Sequence, residues 1–194
     1  MRIIDVSSYQ GAIDWAQVSN VSDIKGAIVR TTIKNGNLDS RCIENINGAL
    51  SHFNGHFNYV AGYKFAYANN YITAYMEAVK TLELLGDRGA LKFLSRFYLD
   101  LENRPARFTK SEANEVIKGY LEACNEYGIT LGLYCNYDYI KHVIDDYWKS
   151  LPLWFARYNS TMGDISPFTP ELWQFTSEGS VPGIKGNVDI SREV

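Results

Sequence analysis

The apolar positions of the chain repeat in two ways that alternate along it. Short apolar runs of strand length are followed by stretches in which apolar residues recur every three or four positions, the spacing of one helix face. The runs predict strands at residues 2–6, 26–32, 59–67, 93–102, 130–136, 151–158, 171–176 and 186–190. The helical spacing predicts helices at residues 14–18, 40–53, 73–85, 110–127 and 138–150.

Strand and helix alternate five times, and three strands then follow with Gly- and Pro-containing connections between them. This alternation favours an α/β fold with a parallel sheet and helical crossovers. A connection without a helix allows a strand to run antiparallel, and we expect this for one of the last strands. Eight strands fit a closed barrel. An open doubly wound sheet is the alternative, although no Gly-rich nucleotide-binding loop supports it.

The composition predicts one globular domain, residues 1–194, because 46% of the residues are hydrophobic. The net charge of −3 and the scattered Lys and Arg residues argue against a surface for nucleic acid or membrane. The chain has 14 Tyr and 4 Trp, whose flat rings with polar edges suit sugar binding, although most are expected to fill the core.

The cysteines and histidines predict neither a metal site nor a disulfide framework. The three cysteines are too few and too widely spaced, and the histidines lack ligand spacing, since the two that are four apart flank an Asn-Gly pair. We therefore expect no metal and no cofactor. The residues concerned are Cys42, Cys124, Cys135, His52, His56 and His142.

The chain starts with Met1-Arg2 directly before a predicted strand, without the apolar run of a signal peptide. No apolar run is long enough to span a membrane. A leader that has been removed and a further domain outside this chain both stay open.

The stretch at residues 93–102 is an apolar run that becomes acidic at its carboxyl end. Because strand side chains alternate between two faces, Tyr98, Asp100 and Glu102 point the same way. Two strand residues span roughly 6.6 Å, so the two carboxyl groups lie side by side, and in a low-dielectric site the pKa of one rises. Acid-catalysed cleavage of a glycosidic bond needs such a protonated carboxyl group. The alternative is a strand end with both acids in solvent.

Closure of the barrel brings two more acids towards this strand end. Asp5 ends the first predicted strand and Asp189 lies late in the eighth, and active sites in such barrels lie at the carboxyl ends of the strands. We therefore expect Asp5 beside Asp189, facing Asp100 and Glu102 across the mouth. Single members have structural alternatives, such as an ion pair between Asp189 and Arg192. Four acids at one mouth nevertheless favour a catalytic site, because their charges repel.

Four segments of the chain resemble glycoside hydrolase family 25, the Chalaropsis-type lysozymes or N-acetylmuramidases of phage endolysins and bacterial autolysins. Each segment is a weak signal alone, but all of them occur in order and at family spacing over nearly the whole chain. They are Asp-Val-Ser-Ser-Tyr-Gln-Gly at 5–11, Asp-Leu-Glu at 100–102, Leu-Trp-Phe-Ala-Arg-Tyr at 153–158, and Trp-Gln-Phe at 173–175 followed by Gly183, Gly186, Val188 and Asp189.

The resemblance implies a single (β/α)₅β₃ TIM-like barrel that hydrolyses the β-1,4 bond between N-acetylmuramic acid and N-acetylglucosamine in peptidoglycan. It places Glu102 as the general acid and Asp100 as the partner carboxylate, which orients or stabilises the N-acetyl group of the substrate. It assigns to the substrate cleft Asp5, Asp189, Tyr63, Tyr134, Trp154 and Trp173.

Two positions depart from the family pattern. Lys64 lies between Tyr63 and Phe65 where the family commonly has histidine, and strand alternation turns it away from both rings, so we expect little effect on the chemistry. The segment at 31–36 is looser than the usual turn of the family, which leaves the subsites near the second strand open.

The sequence thus predicts a peptidoglycan hydrolase in which Glu102 is held protonated and Asp100 is ionised. Its partner is bacterial peptidoglycan, with no nucleic acid and no membrane. We expect it to act at the cell wall. If it is phage-encoded, it is in the host cytosol before release, and if a leader was removed, it is secreted. A non-catalytic wall-binding barrel and another glycosidase, such as a chitinase-like enzyme, are the alternatives.

Overall fold

The computed structural model describes residues 1–53, 59–102 and 107–194, in which eight strands close into a barrel. The strands are β1 (Arg2–Val6), β2 (Ile24–Arg30), β3 (Tyr59–Phe65), β4 (Phe97–Asp100), β5 (Leu131–Asn136), β6 (Leu153–Ala156), β7 (Leu172–Gly179) and β8 (Val188–Glu193). The helices are α1 (Trp15–Ser19), α2 (Cys42–His52), α3 (Tyr71–Asp87), α4 (Lys110–Glu126) and α5 (Tyr137–His142). Short 3₁₀ helices lie at Ser8–Gln10, Leu91–Phe93 and Asp146–Trp148.

The strands follow one another around the barrel in chain order. Each strand from β1 to β6 pairs in parallel with the next, and β8 pairs antiparallel with both β7 and β1. A helix lies in each of the first five connections, whereas the described residues of the last two connections contain none. The predicted (β/α)₅β₃ barrel with one antiparallel strand is therefore confirmed, and the open sheet is excluded.

Two predicted elements are shorter in the structure. The strand expected at 93–102 is confined to β4, because residues 91–93 form a 3₁₀ turn and Glu102 follows the end of the strand. The helix expected at 138–150 ends at His142, and a separate 3₁₀ turn follows, in which Asp145 accepts a hydrogen bond from the main-chain N–H of Tyr147. The exposed Phe93 in the first turn and the buried Trp148 in the second extended the apparent apolar pattern.

Apolar side chains form one layer inside the barrel and a larger layer between the barrel and its helices. A Cβ atom at Gly132 would lie 2.5 Å from the ring of Tyr98, so the glycine on β5 makes room for that ring in the interior. The filled interior leaves the mouth, where β1 to β7 end, as the place for a site. The inner layer contains Ile3, Ile28, Ala61, Tyr98, Tyr134, Trp154, Ala156 and Leu172.

The first turn of α4 is capped by two side chains. The hydroxyl of Thr109 accepts the main-chain N–H of Glu112, and the carboxylate of Glu112 accepts the N–H of Thr109 at 2.8 Å. This reciprocal cap fixes the helix that packs against α3. Among the described residues, no helix is both long enough and apolar enough to cross a bilayer.

Candidate active site

Asp5 and Asp189 lie directly opposite each other on neighbouring strands. They are paired residues of β1 and β8 and sit at the same end of the barrel. The prediction that Asp189 lies late in its strand is wrong, because it is the second residue of β8. Since β8 runs antiparallel, its first residues lie at the mouth. Asp189 therefore lies beside Asp5, as expected.

Gln174 on β7 connects these two acids. Its side-chain Nε2 donates to Asp5 Oδ2 at 3.3 Å and to Asp189 Oδ2 at 3.2 Å. Its Oε1 accepts the hydroxyl groups of Tyr134 at 2.9 Å and Tyr158 at 2.8 Å. Because both tyrosine hydroxyls donate to the oxygen, the amide has one orientation that satisfies all four contacts. Gln174 is fully buried and acts as a rigid bridge.

Asp100 ends β4, and Glu102 follows two residues later on the same side. A hydrogen bond between their side chains raises the pKa of Asp100 and lowers that of Glu102, which corresponds to Asp100 as the donor. Burial raises the pKa of Asp100 well above its usual value, and the charge of Glu102 raises it further. Burial also raises the pKa of Glu102, against which the hydrogen bond from Asp100 acts. The structure brings together the pair that the sequence predicted, but the hydrogen bond favours the proton on Asp100, whereas the sequence predicted it on Glu102.

The other two acids are shifted in the same direction. Burial raises the pKa of Asp5 well above its usual value, and the charge of Asp189 adds to this shift, while a hydrogen bond from Tyr63 opposes it. Burial and then the charge of Glu102 raise the pKa of Asp189. The electrostatic effect of Glu102 on both residues shows that the four acids share one mouth, as expected from barrel closure.

A cleft of about 870 Å³ extends from Asp100 along the ends of β2 and β3. Arg30 forms part of its wall and is held by Asp39, which accepts the Arg30 Nε–H at 2.8 Å. The guanidinium group lies 4.6 Å from the ring centroid of the exposed Tyr9. The residues lining the cleft are Ser8, Tyr9, Arg30, Thr32, Ile33, Lys34, Asn35, Tyr63, Phe65, Tyr67 and Asp100.

The four aromatic residues assigned to the cleft occupy different places. Tyr63 lines the cleft, and Tyr134 reaches the acids through Gln174. Trp154 is 1% exposed and lies beneath them inside the barrel, with its ring 4.3 Å from that of Tyr134. Trp173 is not brought to the mouth: its Nε1–H donates to the carbonyl of Arg157, and it is 4% exposed in the layer outside the barrel.

Sequence reasoning missed Gln174, Tyr158 and Arg30. The available signal was strand parity, because Gln174 is a polar residue between Trp173 and Phe175, on the face that points into the barrel. Parity shows the direction of a side chain but not its partners. The bridge between two acids became visible only with the packing of β7 against β8.

The described residues offer no group of three or more His, Cys, Asp or Glu side chains placed to hold a metal ion. The Nδ1–H of His52 donates to the main-chain carbonyl of Gly48 on its own helix, and the cysteines are buried and free. His56, which the sequence analysis compared with His52, lies outside the described residues.

Comparisons with known proteins agree with this architecture. The structure is similar to that of the modular autolysin LytC from Streptococcus pneumoniae, solved in complex with a synthetic peptidoglycan ligand, at 26% identity and a TM-score of 0.84 over 98% of this chain and 46% of that chain. The CTP1L endolysin is 24% identical, with a TM-score of 0.81 over 100% of this chain and 66% of that one. The bacterial lysozyme from Streptomyces coelicolor is 20% identical, with a TM-score of 0.81 over 100% and 91% of the two chains.

The last two similarities, below 25% identity, concern the fold alone. The chain spans less than half the length of the autolysin and about two-thirds of that of the endolysin. No curated protein sequence matches. A family model described as glycosyl hydrolases family 25 matches residues 4–184, and the chain therefore belongs to this family.

Proposed function

We propose that the protein is a lysozyme-type peptidoglycan hydrolase that cleaves the β-1,4 bond between N-acetylmuramic acid and N-acetylglucosamine. The observation that carries this proposal is an acidic pair at the mouth of a barrel of this family, the buried Asp100 and the partly exposed Glu102, whose pKa values are both raised. The similar autolysin was solved with a synthetic peptidoglycan ligand, which supports the same substrate class here.

Glu102 is the member of the pair that we expect to deliver the proton. It is partly exposed at the mouth, whereas Asp100 is buried. Because burial raises both pKa values, the pair as a unit holds a proton to a higher pH than two exposed carboxyl groups would. When that proton is on Glu102, Asp100 is ionised, and Glu102 can protonate the glycosidic oxygen as the bond breaks.

Asp100 has a second task in this proposal. Its Oδ1 atom is buried, and no residue that the structure describes donates a hydrogen bond to it. A buried carboxylate oxygen is stabilised by a donor, and the N–H of a sugar's N-acetyl group has the right chemistry. Such a contact orients the N-acetyl group beside the anomeric carbon. The ionised Asp100 also stabilises the positive charge that develops there, and Asp5 and Asp189 contribute to the substrate cleft.

The test is Glu102→Gln, which keeps the size of the side chain and removes its acidity. Loss of a general acid lowers kcat by roughly 10²- to 10⁴-fold, measured as reducing ends released from purified cell walls. Glu44→Gln is the matched control, since Glu44 is an exposed carboxylate on α2 that pairs with Arg41. Hydrolysis by Glu102→Gln at the rate of the control would refute the role.

The same assay separates the alternatives. A non-catalytic barrel would sediment with cell walls and release no reducing ends. A chitinase-like enzyme would cleave chitin oligomers in preference to peptidoglycan. Mass analysis of the fragments identifies the sugar at the new reducing end, which must be N-acetylmuramic acid.

The bacterial cell wall is the site of action that this substrate implies. A wall-binding domain outside this chain would raise the local concentration of the enzyme on its substrate without any change in the cleft.

A further inference from the structure

Lys64 is buried on the side of β3 that faces away from the barrel interior. Its side chain is 1% exposed, and its Nζ lies 2.9 Å from Oε1 of Glu77 on α3. A buried ammonium group is strongly unfavourable without a partner, so the two residues depend on each other. Strand alternation predicts little effect of Lys64 on the chemistry, and in the structure its contact with Glu77 lies outside the acid cluster.

Glu77 does more than neutralise this charge. Its carboxylate also accepts the main-chain N–H of Ala68 at 3.0 Å and that of Tyr67 at 3.3 Å. Both N–H groups belong to the connection between β3 and α3. Hydrogen bonds to an ionised acceptor are stronger than those between neutral groups. The ion pair therefore holds the connection against both β3 and α3.

Tyr67 is the part of this connection that reaches the cleft. Its ring is 37% exposed, lies 4.9 Å from the ring of Phe65, and is 5.2 Å from Lys64 Nζ. The residue before it, Ala66, donates its N–H to the carbonyl of Asp100 at 3.0 Å. Phe65, Tyr67 and Asp100 line the same cleft. The ring of Tyr67 thus lines the same cleft as Asp100, and its main-chain N–H is held by Glu77.

We infer that the Lys64–Glu77 ion pair is a positioning element that sets the affinity of the cleft for the glycan strand by holding Tyr67 in its wall. This inference rests on the proposed function for the identity of the ligand. The pair touches neither the acids nor the reacting bond, so its loss raises KM and leaves kcat nearly unchanged. A merely structural ion pair would change stability without this separation.

The chain contains a matched control at the opposite end of the barrel. Arg96 and Glu171 form a partly buried ion pair at 2.7 Å, just before β4 and β7 begin. Glu171→Gln removes one carboxylate from such a pair far from the cleft. It should lower stability and leave KM at the wild-type value.

The experiment measures kcat and KM on soluble peptidoglycan fragments for Glu77→Gln, Tyr67→Ala and the combination of both. We expect each single variant to raise KM on the order of tenfold, the effect of one lost contact. The combined variant should be no weaker than Tyr67→Ala, because Glu77 acts through the tyrosine. If unpaired Lys64 prevents folding of Glu77→Gln, the doubly neutral Lys64→Met/Glu77→Gln variant replaces it.

Three results would overturn the inference: an unchanged KM, a loss confined to kcat, or the same KM increase in Glu171→Gln. Additive effects of Glu77→Gln and Tyr67→Ala would also refute it. Sedimentation with purified cell walls keeps this test apart from that of the proposed function. If the wild-type protein releases no reducing ends, the proposed reaction fails, but weaker retention of Glu77→Gln than of Glu171→Gln on the walls would still support the positioning role.

Discussion

Replacing Gln174 with leucine tests the bridge between Asp5 and Asp189. The substitution keeps a side chain of similar length in the barrel but removes four hydrogen bonds. Tyr158 is 54% exposed and can turn to water, whereas Tyr134 is 7% exposed. The buried group that loses its partner is thus the Tyr134 hydroxyl, whereas the half-buried Asp5 keeps the hydrogen bond from Tyr63. At about 1–3 kcal/mol for an unsatisfied buried group, the free energy of unfolding falls by about 1–3 kcal/mol.

Urea unfolding measures this change through the transition midpoint and its slope. Gln17→Leu is the matched control, because Gln17 is exposed on α1 and its side chain donates to Asp14 only at the surface. A surface change of this kind alters stability by less than about 0.5 kcal/mol. If Gln174→Leu is as stable as Gln17→Leu, the bridge has no energetic role, and the reasoning from hydrogen bonds is refuted.

Gln174→Glu isolates the donor half of the bridge. An ionised glutamate still accepts the two tyrosine hydroxyls, but it cannot donate to Asp5 or Asp189 and adds a negative charge between them. The pKa of the new carboxyl should therefore be raised in the folded protein. The loss of stability caused by the new charge is absent below the pKa of an unfolded glutamate. It grows as the pH rises through the raised pKa of the folded state. A stability difference from wild type that does not depend on pH would contradict this picture.

Three further outcomes follow from the site. Because burial raises the folded pKa of Glu102, Glu102→Gln should be more stable than wild type at neutral pH. This gain in stability should vanish in acid, where the glutamate and the glutamine are both neutral. Unfolding curves at several pH values measure the direction of the change. Burial alone would raise the pKa of Asp39, but hydrogen bonds from Arg41, Arg30 and Ser8 lower it. Asp39→Asn should therefore lower the free energy of unfolding by about 1.5–3 kcal/mol at neutral pH. This loss should shrink as the pH falls through the pKa of Asp39. Trp173→Phe should lower the melting temperature with KM unchanged, since its indole N–H contacts a main-chain carbonyl outside the barrel, and a raised KM would place it in the cleft after all.

The periodic pattern of the chain was sufficient to predict the barrel. Five helical crossovers and three final strands could be read from apolar spacing alone, since each helix and strand buries one face. An antiparallel strand among the last ones was anticipated from the lack of helices in their connections, but not that it would be β8. The position of Asp189 within that strand was not, because the strand boundary depends on pairing with β1 and β7.

The acidic mouth could be predicted because its members lie at strand ends, where the topology brings them together. The contacts of Gln174 and Lys64 could not, because each partner is far away in the chain: Asp5 is 169 residues from Gln174, and Glu77 lies on a helix whose rotation the sequence does not fix. Trp173 shows the limit of motif resemblance. The motif located the residue, but its neighbour Gln174 is the one that faces the acids.

The antiparallel course of β8 also decides where the chain ends are. β1 starts and β8 finishes at the end of the barrel opposite the mouth, and the amino group of Met1 lies 3.6 Å from the carboxylate of Glu193. A short linker could therefore join residue 194 to residue 1. New termini could then be opened in a surface loop that connects a helix and a strand. Such circular permutants should fold, since residues 1 and 193 lie close together, and they should keep the cleft intact, since the joined ends lie at the opposite end of the barrel.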